Sequence, residues 1–221
     1  MDNQQEIATP KNESFEAQQN EKRKTKTQPL WMRLFFSGAL TKDTKPSKKI
    51  TYIAVVAAFL AVSNLLEIKL GNTQFSFTVA ASALAGVILG AVFGTVAAFL
   101  GDLVGFLFNS GGYAYMPWIG IALAVTAFLS GVIVGGINLK FKRALLVKIT
   151  ILSVLSFLIC TVGINTTGLW LYYFSSKTSY FAYLISRLFL EGQIYNCLVN
   201  YALLYLIIPI IAKLKIVNFN Y

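Results

Sequence analysis

Apolar residues in this chain come in long blocks with polar breaks between them. They do not follow the alternating or three-four spacing of an element with one wet face. The blocks run about 50–66, 78–89, 95–108, 117–137, 149–174 and 182–212. A helix needs about 20 apolar residues to cross a bilayer; the first, fourth, fifth and sixth blocks approach or exceed that length, and the second and third need flanking residues. The breaks fall at 67–77, 90–94, 108–118, 138–148 and 175–180, with 90–94 expected as a tight turn and a kink expected near Gly192. The expected fold is all-α and integral to a membrane, a bundle of six transmembrane helices. The stretch 75–136 is its centre: small residues punctuate it, and one acid, Asp102, lies inside an apolar run.

Charge sets the orientation. Lys42, Lys45, Lys48 and Lys49, then Lys140, Lys142, Arg143 and Lys148, then Lys213 and Lys215 fall on one side of such a bundle. Lys69, Lys177 and Arg187 fall on the other. Basic residues favour the cytoplasmic face, so both termini are expected in the cytoplasm, with the protein multi-pass in the cell membrane. Composition agrees. The chain is 56% hydrophobic with a mean hydropathy of +0.64, and only Glu67, Asp102 and Glu191 are acidic after residue 49. Residues 1–45 read as a disordered polar and basic tail, 46–215 as the membrane domain and 216–221 as a short C-terminal tail. Within the first tail, 30–41 reads as an interfacial helix dipping Trp31, Phe35 and Phe36 into the headgroups, or as a plain apolar linker. The net charge of +10 gathers at helix ends, with no aromatic-basic groove, so no nucleic acid is expected as a partner.

Polar residues collect at one depth. Asn64, Lys69 and Gln74 flank or occupy the first outward break, and Asn109 and Tyr113 the second. Asn165, Thr166 and Trp170 fall in the fifth block, Arg187 and Gln193 in the sixth. Polar groups within a membrane face a cavity or a partner. Amides beside Trp and Tyr suit a flat heteroaromatic ligand, bonded at its edge and stacked on its face. Lys69 or Arg187 would take a ligand carboxylate. Plainer readings stand beside these: an aromatic interfacial belt for Trp170, an i,i+4 pair with Glu191 for Arg187, interhelical bonds for Asn165 and Thr166. For Asp102 a structural partner such as a facing hydroxyl competes with proton coupling. Ala54, Ala57, Ala58 and Ala61 form a small-residue stripe that lets another helix approach, within the chain or from a partner. There is no histidine, and Cys160 and Cys197 have no metal spacing, so no metal site is expected. No nucleophile–base pair and no phosphate-cradling loop occurs, so no enzyme and no cofactor of its own are expected.

Several motifs in order carry a resemblance. Phe75-Ser76-Phe77 precedes the second block, Phe93-Gly94 follows it, and Gly101-Asp102-Leu103 sits in the third. Then come a Ser110-Gly-x-Tyr loop before Pro117, the run 165–171 (NTTGLWL), and Ser186-Arg187-Leu188. Over about 50–212 the sequence resembles the substrate-binding S components of energy-coupling factor (ECF) vitamin transporters, the folate type most. The resemblance implies a six-helix bundle with an outward vitamin pocket, closed by the loop after the first helix. It implies an importer completed by a transmembrane coupling protein and two ATPase subunits that use ATP. It also implies that Ala54, Ala58 and Ala61 face the coupling protein. The chain differs from folate-type relatives in Asn64, where they commonly carry Arg, and in two extra residues within 165–171. Folate is the expected vitamin; pantothenate or a queuosine precursor is the alternative, and a stand-alone secondary transporter or a membrane scaffold would be a different class.

Overall fold

The computed structural model describes residues 34–36, 38, 40, 44–70, 73–110, 112, 114–137 and 143–213. The chain divides into two units, Met1–Arg33 and Leu34–Tyr221, and the described residues all lie in the second. The tails 1–33 and 214–221, with Trp31 and Tyr113, lie outside the described residues, as do the side chains of Lys69 and Gln74.

Helix α1 is Pro46–Leu65. It begins four residues before the apolar block because Pro46 suits a first helical turn, where its missing N–H is not needed. Most of its face is left to lipid: Ile50, Phe59 and Val62 are exposed, and only Ala57, Leu60, Ala61 and Ser63 are buried. The alanine stripe is therefore split. Ala54 and Ala58 face out, whereas Ala61 packs inside the bundle and offers nothing to a partner.

The all-α expectation needs one correction. Strands β1, Glu67–Leu70, and β2, Thr73–Ser76, pair antiparallel with Glu67 opposite Ser76 and Leu70 opposite Thr73. Apolar residues alternate here (Ile68, Leu70; Phe75), a period-two pattern that a helix cannot use.

Helix α2, Thr78–Leu89, is only 12 residues long, and nine of them are buried. At 1.5 Å per residue it rises about 18 Å, short of a bilayer core of about 30 Å. Gly90 alone, at φ 87°, makes the turn expected over 90–94, and α3 runs Ala91–Phe108. Gly94 is helical and lies against Gly86; a Cβ there would stand 2.5 Å from the Gly86 Cα. Helix α4, Pro117–Ser130, continues as π turns through Gly131–Gly136. The Ser130 hydroxyl lies 2.7 Å from the Ala83 carbonyl oxygen and staples α4 to α2.

Helix α5 runs Ala144–Phe174 and is π-helical over Ser156–Thr166 and Trp170–Phe174. In the longer stretch the Thr166 hydroxyl donates to the Thr161 carbonyl, five residues back, at 2.8 Å. A π turn takes up an extra residue per turn, which accommodates the lengthened 165–171 motif. Helix α6 is Tyr180–Leu190, and α7 is Gln193–Lys213. They are separated at Gly192, whose φ of 71° ends α6. Among the described residues, five helices are long and apolar enough to cross a membrane: α1, α3, α4 with its π turns, α5 and α7.

The core has α2 at its centre. Ala80, Ala83, Leu84 and Val87 pack against Ile133, Val134, Ile149, Leu152, Leu204 and Ile208. Lys148 is not the surface anchor its neighbours suggested. Because α5 starts at Ala144, Lys148 falls a turn inside the helix, 1% exposed, and donates to the Val134 carbonyl at 3.2 Å. The described part of the expected interfacial segment is also packed inward. Phe35 meets Phe128, Phe36 meets Phe93, and Leu40 is buried with Leu89 and Ala97.

Candidate functional site

Seven helices and the hairpin surround a cavity of about 240 Å³. Asn64 enters it from the end of α1, Ser76 from β2, and Thr78 and Val79 from the start of α2. Asp102 comes from α3, Ile119 to Thr126 from α4, and Ser156, Cys160, Thr161 and Asn165 from the π-helical run of α5. Arg187, Gln193 and Asn196 close the ring from α6 and α7. A second cavity of about 190 Å³ adjoins it, lined by Phe106, Asn109, Ser110 and Tyr115 and sharing Asn64, Asp102 and Ile119.

Arg187 is 7% exposed and makes no ion pair with Glu191. Helix α6 ends in π turns over Ser186–Leu190, with the Glu191 N–H on the Ser186 carbonyl five residues back at 3.1 Å, so Glu191 falls off the face on which an i,i+4 pair would form and is exposed. The guanidinium Nη1 is 3.4 Å from the Tyr183 hydroxyl, and Nε has no hydrogen-bond partner. Asn165 Oδ1 is likewise buried without a donor. Buried polar atoms are almost always paired, and these two exceptions belong to residues that line the same cavity.

Asp102 has the facing hydroxyl expected of a structural partner. Tyr115 OH donates to Oδ2 at 3.0 Å, and Asn64 Nδ2 donates to Oδ1 at 3.4 Å. Burial, then the charge of Asp102 and the bond to it, push the Tyr115 phenol up to about 12, so it stays a donor at ordinary pH. The hairpin is fixed from behind. Asn196 Oδ1 accepts from Ser76 N–H at 3.1 Å, and Asn200 Oδ1 accepts from Ala80 N–H at 2.9 Å. Asn200 Nδ2 also donates to the Ser76 carbonyl at 2.7 Å.

Of the residues singled out from sequence, Asn64, Asn165, Arg187 and Gln193 meet at the larger cavity, and Asn109 lines the smaller. Thr166 is buried on the helix side, its hydroxyl spent on Thr161. Trp170 lines neither cavity: its indole N–H donates to the Thr178 carbonyl at 2.9 Å, and its ring meets Tyr180 edge-on. The other aromatics also pair with one another, Trp118 with Tyr172 and Phe174 with Tyr183. No aromatic side chain lines the larger cavity among the described residues, so a flat ligand would rest its faces on Val79, Ile119 and Leu123. Sequence reading left Asp102, Ser156, Cys160 and Thr161 out of the site. The signal was present: Ser156, Cys160 and Thr161 repeat at four and five residues inside an apolar block.

A search of curated proteins finds no match. A crystal structure described as FolT bound with folic acid is similar, with a TM-score of 0.55 and 19% identity, covering 71% of this chain and 92% of that one. At that identity the likeness is one of fold. The sequence model of the ECF-type riboflavin transporter S component matches residues 45–215, most of the chain. With five membrane-length helices around a polar cavity, the chain is a multi-pass membrane protein that belongs to the family of ECF-type riboflavin transporter S components, the substrate-binding parts of vitamin importers.

Proposed function

We propose that this chain captures a flat N-heterocyclic vitamin from outside the bacterial cytoplasmic membrane and hands it to an ATP-driven ECF module. The observation that carries the reading is that Arg187 and Asn165, each with one buried polar atom left unpartnered, line the same cavity. Arg187 takes a carboxylate or ring carbonyl, Asn165 takes a ring N–H, and Asn64 and Gln193 bond the remaining edge. Lys69 and Gln74 belong to the proposed site by their backbone positions, opposite each other in the hairpin that brings Ser76 to the cavity. Folate fits the need for an acceptor at Arg187. Riboflavin is the second reading, favoured by Asp102, which repels a dicarboxylate and accepts from hydroxyls. The bundle crosses six times with both termini in the cytoplasm, α2 completing its crossing with the hairpin and α6 continuing into α7. A coupling protein docks on the exposed side of α1 at Ala54 and Ala58, and two ATPases supply the energy.

Calorimetric titration of the detergent-purified chain with folic acid and with riboflavin is the test. Saturable binding of one is expected, and binding of neither sinks the vitamin reading. Ala58→Trp is expected to abolish copurification of the ATPase subunits while vitamin binding persists. Full assembly by that variant would place the docking face elsewhere.

A further inference from the structure

The two cavities share one wall. Asn64, Asp102 and Ile119 line both, whereas Tyr115 lines only the smaller. In that wall the Asp102 carboxylate is held from two sides, by the Tyr115 hydroxyl on Oδ2 and the Asn64 amide on Oδ1. Two glycines make room for it. A Cβ at Gly105 would lie 2.7 Å from the Asn64 amide nitrogen. A Cβ at Gly120 would lie 2.5 Å from the Tyr115 hydroxyl and 2.8 Å from Asp102 Oδ2. Either side chain would push the wall apart. The Phe106 ring, 5.1 Å from that of Tyr115, steadies the phenol. Asp102 is buried and Tyr115 only half-buried, so the tyrosine is the partner with space to turn.

We propose that Tyr115 is a specificity-determining residue: its side chain bolts the wall between the cavities, and turning it off Asp102 joins them into one elongated site. This rests on the reading of the larger cavity as the vitamin site. A ligand's ring system lies beside Arg187, and its tail passes Asp102 into the space lined by Asn109 and Ser110. The tail must offer an O–H or N–H where it crosses, because it replaces the tyrosine as donor to a buried carboxylate. A ring without a tail leaves the bolt in place. Ligand length is thereby read by one hydrogen bond, and the larger cavity alone admits only the shorter compound.

The test uses the full chain in detergent, as wild type, Tyr115→Phe and Gly120→Ala. The probes are riboflavin with its tail-less counterpart lumiflavin, and folic acid with pterin. Association is followed by stopped-flow fluorescence, with melting temperatures alongside. For the vitamin that wild type binds, both variants are expected to bind the tailed compound about tenfold faster, the effect of losing one bond to a charged group. The tail-less partner is expected to associate at the wild-type rate. If melting temperatures fall while the tailed compound associates at the wild-type rate, Tyr115 is merely structural and the proposal fails. An equal gain for tailed and tail-less compounds also overturns it, because length is then not what the bolt reads. Absence of binding of all four compounds by wild type overturns the vitamin reading and the bolt with it, whereas normal binding with unmoved rates overturns the bolt alone.

Discussion

Helices α2, α3 and α4 touch through alanine, glycine and serine, while α5 and α6, across the cavity, bring threonines, an asparagine, an arginine and paired aromatic rings. In lipid there is little hydrophobic drive between helices, so close van der Waals contact of small residues holds the first side together. That contact requires regular helices, and α2 and α3 are regular throughout. The second side is π-helical over long stretches. π turns recur at functional sites. One side is thus a scaffold whose shape is set by backbone approach, and the other supplies recognition at the expense of regularity.

The sharpest way to break this contrast is Gly86→Leu. A Cβ at position 86 would collide with the Ala127 carbonyl oxygen and the Ser130 hydroxyl. No monodisperse folded protein is expected, with a destabilisation of about 3 kcal/mol or more. A near-normal melting temperature would mean that the α2–α4 contact is not the scaffold. Arg187→Met probes the other side. Vitamin affinity is expected to fall about 10- to 100-fold. Stability of the ligand-free protein should hold or rise, since an uncompensated buried charge is removed. A melting temperature that fell in step with affinity would make Arg187 a structural residue. Gly163→Ala should do least. The nearest atom to its added Cβ is the Leu158 carbonyl oxygen at 3.3 Å, inside the π stretch. A change below about 1 kcal/mol is expected in thermal melting, and a larger loss would show this side to be as tightly packed as the first.

The same contrast explains what could be read from sequence. Helix α2 was legible to its ends because Gly90 punctuates an apolar block and the preceding pattern changes period. Asn64, Asn165, Arg187 and Gln193 were legible because each interrupts apolar surroundings. The fate of a side chain beyond such an interruption was not. Whether Arg187 meets Glu191 depends on the π turns that end α6, and whether Trp170 lines a cavity depends on those that precede it in α5. Lys148 shows the same limit. A five-residue difference in where α5 begins moves it from a membrane-surface tally into the protein interior. The aromatic residues had the right depth for a ligand, but their rings are satisfied by one another.

Asn196 and Asn200 bond to Ser76 and Ala80 across sequence separations of 120 and 124 residues. During synthesis, the start of α2 and the end of the hairpin emerge long before α7 is made. Until then the N–H groups of Ser76 and Ala80 lack these acceptors, in a setting with little water to replace them. Helix α7 is thus what completes the start of α2, and a nascent chain truncated before Asn196 carries a helix start without these acceptors.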